Sequence, residues 1–184
     1  VEASGEYDAS EPQAARVAHL ERAVAIFRRR FGRPPTSFCP PDYRWDTALD
    51  PELARWDLRV LQGLTGHGPW PGLARWLPLG PWPDLRQGRL YLPPHIAFEP
   101  RGDASPRARL GAARVHAMVR VAWRHGRPAI VSTHRLNYAH LDAAWSAAGR
   151  AALRDLLARL CGDGAVFLTD ARLHALLLAR EGIA

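Results

Sequence analysis

Five short apolar runs recur along this chain: "TSFCPP" at 36–41, "RVLQG" at 59–63, "RLYLP" at 89–93, "AIVST" at 129–133 and "AVFLT" at 165–169. Each reads as a strand, because it is four to six residues long, apolar at its centre and bounded by Pro, Gly or polar residues. Between them lie stretches of helical periodicity. Residues 12–31 place Ala15, Val17, Leu20, Val24, Ile26 and Phe27 mostly on one side, before Gly32 and Pro34-Pro35 stop the helix. "LDPELARW" carries Asp50 as a cap with Pro51 at the first helical position. Residues 106–125, "SAAGRAALRDLLARLC" and "DARLHALLLAR" complete the helices, the last capped by Asp170. "HIAFEPRGD" is read as the loop after the third strand.

Strands alternating with helices imply a parallel sheet joined by crossover helices. "AIV" and "AVFL" do not alternate in polarity, which suits strands buried on both faces. An α/β fold with about five parallel strands follows, either an open doubly wound sheet or part of a (β/α) barrel. In both, functional groups gather at the carboxyl ends of the strands. Residues 1–184 are expected to form one domain, interrupted at 64–87 by a Pro- and Trp-rich loop insertion, "LTGHGPWPGLARWLPLGPWPDLRQ". Its Trp70, Trp76 and Trp82 suit either a carbohydrate groove or the packing of the loop itself.

Composition removes several classes of function. The net charge of +7 suggests nucleic acid, but all 25 basic residues are Arg and are interleaved with acids, as GC-rich codons produce. No basic stripe with interleaved aromatics is present, so no nucleic-acid partner is expected. No apolar run is long enough for a transmembrane segment. Cys39 and Cys161 stand alone, without the paired spacing of a zinc ribbon or disulfide framework. There is no Gly-rich phosphate loop, no GxSxG elbow, and no two of the eight histidines stand four apart.

The strand ends carry the candidates. In "STHRLNY", His134 follows a buried strand, where an imidazole with restricted rotamers suits general acid or base work. Arg135 brings a fixed charge, Tyr138 stands four residues past His134, and Asn137 is the only asparagine in the chain. A loop histidine bonded to a backbone carbonyl, with Asn137 turning the loop, is the structural alternative. In "FCPPDYRWD" two prolines hold Asp42 and Tyr43 in a rigid turn, and Trp45 offers a flat face on which a sugar could stack; Asp42 or Asp46 could act as a base. The same turn serves equally as core cover. In "AFEP", Glu99 either faces the cleft or pairs with an arginine.

The ordered set "SFCPP" with Tyr43, "YLPPHIAFEP", "PAIVSTHRLNY" and "ALRDLLARLC…GAVFLTDARL" resembles the C-terminal part of polysaccharide deacetylase-like proteins, the NodB-homology carbohydrate esterases, in a diverged branch. The likeness runs from about Phe27 to the end. It implies the C-terminal portion of a (β/α) barrel of the NodB type, belonging to a longer protein. It also implies removal of an N-acetyl or O-acetyl group from a carbohydrate by water activated on a divalent metal, zinc in most of the family. By that resemblance His134 is the general acid and Asp42 a further catalytic group, with Tyr43, Trp45, Glu99, Arg135, Asn137 and Tyr138 at the substrate. The family's Asp-Asp strand end and His-x-x-x-His are not in this chain, and Cys39 stands about where the family has an arginine. The metal ligands are therefore expected outside it. The competing expectation is a carbohydrate-binding barrel that has lost the metal, and a weaker one is an open α/β sheet that binds an anion through its arginines.

Overall fold

A computed structural model describes residues 11–40, 43–65, 83–100 and 111–182. They form a mixed α/β structure in which two two-stranded parallel sheets and one four-stranded sheet, parallel except at one edge, are joined by helices. Contacts divide the described residues into two compact units. One takes residues up to 65, 83–93 and 168–182; the other takes 94–100 and 111–167.

The first unit opens with α1, Gln13–Phe31, closed by Gly32 in the left-handed region at φ 66°, whose N–H bonds Arg28 O. Arg28, Arg29 and Arg30 fill its last turn, where positive charge complements the helix dipole. Only Leu20 and Val24, one turn apart, are buried; Ile26 is 45% exposed. Strand β1 (Ser37–Phe38) pairs in parallel with β3 (Val60–Leu61), which pairs in parallel with β6 (Arg89–Tyr91). Strand β5 (Asp84–Arg86) completes this sheet antiparallel to β6. The sequence reading left 84–86 inside the loop insertion. Gln87 and Gly88, both at positive φ, make the two-residue turn that pairs them. A second ladder joins β2 (Arg44–Trp45) to β4 (Leu64–Thr65). The rest of the insertion, with Trp70, Trp76 and Trp82, lies outside the described residues.

Helix α2, Asp50–Arg55, corrects one capping assignment. Leu49 occupies the cap, and the Asp50 carboxylate instead accepts Trp45 Nε1 at 2.7 Å and Tyr91 OH at 3.0 Å. Those two bonds anchor a core of Leu20, Val24, Leu49, Leu53, Trp56, Leu58 and Leu61 around Trp45 and Tyr91. Helix α5 (Asp170–Glu181) shows the same shift by one residue. Thr169 caps it, its Oγ1 accepting Arg172 N, while Asp170 accepts Gln62 Nε2 at 3.1 Å.

The second unit contains β7 (Ile96–Ala97) and β8 (Val131–Ser132), paired in parallel, with α3 (Ala112–Arg124) and α4 (Ala143–Gly162). "HIAFEPRGD" therefore begins with a strand rather than a loop, because Ile96 and Ala97 find a ladder on β8. Ile96, Phe98, Val115, Val119, Leu156 and Leu160 form its core. The expected fifth strand, "AVFLT", is not one here. No ladder pairs it among the described residues, and Val166, Phe167 and Leu168 are 79%, 59% and 43% exposed. An apolar run becomes a strand only where a neighbour satisfies its backbone. Among the described residues no closed barrel forms, and no helix is long and apolar enough to cross a membrane.

Candidate functional site

Strand β8 runs out into Thr133 and His134, and a short 3-10 turn, Arg135–Asn137, follows at once. That turn folds Asn137 back beneath His134: Asn137 N donates to His134 O at 3.1 Å, and the amide Nδ2 donates to the same oxygen at 3.0 Å. The other Nδ2 hydrogen goes to Glu99 Oε2 at 2.6 Å. Both amide hydrogens are thereby used, and Asn137 is 1% exposed. Glu99 comes from the chain just beyond β7, which lies beside β8, so the strand pairing itself brings it to the turn.

The second carboxylate oxygen of Glu99 stands 2.6 Å from His134 Nδ1. A carboxylate only accepts, so Nδ1 carries the hydrogen and Nε2 is left to the solvent side. The imidazole is 64% exposed while the Glu99 side chain is 17% exposed. One nitrogen of the ring is held and the other is presented.

The turn is clamped from behind by α4. Gly149 comes so close that a Cβ there would lie 1.8 Å from Asn137 O. Only glycine permits that approach. Ser146 accepts His140 N at 2.7 Å and donates to His140 O at 3.0 Å, and Arg150 donates to Tyr138 O at 2.9 Å. Positions 146, 149 and 150 share one helix face. The helix itself starts on Asp142, whose carboxylate accepts Ala144 N and Trp145 N. The sequence reading passed over Ser146, Gly149 and Arg150. A glycine inside a helical pattern was their available signal.

Tyr138 turns its hydroxyl to Thr133 Oγ1 at 2.6 Å. Burial first, and the Glu99 charge after it, raise its pKa above the ordinary tyrosine value against the opposing bond to Thr133. Its phenol stays protonated at neutral pH and can donate. Arg135 and Leu136 are exposed beside His134.

The remaining candidates belong to the first unit. Trp45 is 1% exposed, with its ring edge against Phe38 and Nε1 committed to Asp50. Of the two readings of Trp45, the indole is core cover rather than an open stacking face, because it is almost wholly buried with Nε1 bonded to Asp50. Asp46 accepts Arg16 NH1 at 2.7 Å and caps the turn at Thr47–Leu49 through Ala48 N. Tyr43 sits at φ 57° with its N–H on Pro40 O at 3.1 Å, and Gly63 leaves room for it: a Cβ at 63 would meet Tyr43 O at 2.9 Å. Asp42 lies outside the described residues.

Among the described residues no three of His, Cys, Asp and Glu come together as a metal ion requires. The described residues do not by themselves make the metal site that the resemblance implies. Compared with known proteins, the chain matches no family model and no curated sequence.

Proposed function

We propose that this chain is part of a polysaccharide deacetylase-like hydrolase, built on a NodB-type (β/α) barrel, that removes an acyl group, N-acetyl first, from a carbohydrate. His134 is its proton-transfer residue. The observation that carries the reading is the Glu99–His134 pair at 2.6 Å with the imidazole 64% exposed. Hydrolysis of an amide needs a proton delivered to the departing nitrogen, and a histidine whose Nδ1 is held by a carboxylate delivers it from Nε2. Glu99 fixes the ring and stabilises its imidazolium form. Asn137 holds Glu99 and is a positioning residue rather than a substrate contact, since it is buried and both amide hydrogens are used. Arg135 and the Tyr138–Thr133 hydroxyls flank the ring and supply charge and hydrogen bonds to a polyhydroxylated substrate. Zinc and its ligands enter this reading by resemblance alone.

The competing reading, a carbohydrate-binding barrel that keeps an aromatic cleft but has lost the metal, rests on the aromatic residues and Cys39; Trp45, 1% exposed, offers it no stacking face. The test is acetate release from N-acetylated chitooligosaccharides, with the protein in the longest form its gene encodes. His134→Ala should lower turnover by about 10²-fold or more while the zinc content is unchanged. Undiminished turnover in that variant would refute the acid assignment, and absence of acetate release from the wild type would refute the deacetylase reading.

A further inference from the structure

The first unit holds a cavity of about 510 Å³ that none of Glu99, His134 or Asn137 lines. That volume lies within the roughly 300–1,000 Å³ usual for small-molecule sites. Its apolar wall is Leu20 and Ala23 from α1, Phe38 and Pro40 from the end of β1, and Trp45 and Leu49 from the segment after it. Phe38 and Trp45 meet edge to face at 5.7 Å, so one flank of the cavity is aromatic.

Its charged groups are already matched. Arg16 pairs with Asp46 at 2.7 Å, and His19 stands 3.6 Å from Glu11. A ligand bearing a full charge would have to compete with a partner in place, whereas an uncharged ring displaces only water from apolar surface. Ala23, exposed at the rim, contributes only a methyl group, so a larger side chain there can reach into the space.

We propose that this cavity is a binding site for an uncharged, flat, apolar small molecule. It is independent of the proton-transfer reading and stands or falls separately from it. Cys39 on its wall supplies a reporter: it is exposed and in no disulfide, and partial burial raises its thiol pKa, so shielding by a bound molecule is measurable.

The probe is N-phenyl-1-naphthylamine, with its anionic analogue 1-anilinonaphthalene-8-sulfonate as the comparison. Fluorescence titration of the folded protein should show saturable one-to-one binding of the neutral probe, at least about tenfold tighter than the anionic one. Ala23→Trp, at an exposed position of α1, should weaken the neutral probe by about tenfold or more while the far-ultraviolet circular dichroism is unchanged. In a Cys161→Ser background with Ala23 intact, the neutral probe should slow maleimide modification of Cys39, which keeps the test decisive even if the tryptophan variant fails to fold. Non-saturable binding, tighter binding of the sulfonate, or Cys39 labelling that the probe leaves unchanged would each overturn the proposal.

Discussion

Glu99 Oε1 stands 2.6 Å from Nδ1 of His134, across 35 residues of sequence. The pair exists because β7 and β8 lie side by side in parallel, with Ile96 opposite Val131 and Ala97 opposite Ser132. Parallel pairing carries both chains forward in step, so that Glu99, two residues past β7, and His134, two residues past β8, arrive together. The relationship is a consequence of register.

Replacing that carboxylate separates orientation from proton transfer. In the wild type, 15N spectra of His134 should show the hydrogen on Nδ1 when the ring is neutral. Glu99→Gln should yield a mixture of tautomers, because an amide can donate or accept. Acetate release should fall by about 10²-fold. A single unchanged tautomer in the variant would show that Glu99 does not orient the ring.

Asn137→Ala removes the donor that faces Glu99 Oε2 from a site 1% exposed. Losing the two hydrogen bonds of the buried amide, one of them to a charged group, should cost about 1–3 kcal/mol in chemical denaturation. Asn137→Asp should cost more at neutral pH, since it sets a second carboxylate against Glu99.

Two glycines of α4 should respond in opposite senses. Gly149→Ala drives a Cβ into Asn137 O and should destabilise by about 1–3 kcal/mol or more, since backbone cannot swing away as a side chain can. A Cβ at Gly162 meets nothing within 4 Å, so Gly162→Ala should be neutral or stabilise by up to about 1 kcal/mol. Thermal denaturation of the two single variants checks both.

Alkaline stability follows from the phenols. Burial raises the pKa of Tyr138 and of Tyr91. The folded protein therefore holds these protons more tightly than the unfolded chain does. The associated stability is fully present below the unfolded tyrosine value of about 10 and is lost as pH rises through the higher folded values. Tyr138→Phe should flatten this loss in a pH series of melting curves. An unchanged alkaline limb would show that Tyr138 is not desolvated.

The helices were legible because their pattern is local. Residues 13–31 and 143–162 carry their own periodicity, and Gly32 stops the first by adopting a conformation that other residues resist. Helix starts were misplaced by one residue at Asp50 and Asp170. Both carboxylates turned to distant partners, Trp45 and Tyr91 in one case and Gln62 in the other, which no local rule displays. Trp45 stayed open between stacking face and core cover for a related reason: nothing in "YRWD" says whether an indole faces outward or inward. His134 and Asn137 were visible as residue types, a strand-end histidine and a lone asparagine.

What the amino-acid sequence determined by itself was the alternation of elements, the place of the histidine at the end of "AIVST", and the absence of several self-contained motifs. Those features depend on spacing along the chain. Tertiary structure alone decided that Val166, Phe167 and Leu168 stay exposed, with no ladder among the described residues, that Glu99 meets His134, and that Gly149 admits the loop carrying Asn137. Each of these depends on which strand or helix lies alongside, and such contacts between residues far apart in sequence are set by packing, for which a linear pattern has no coordinate.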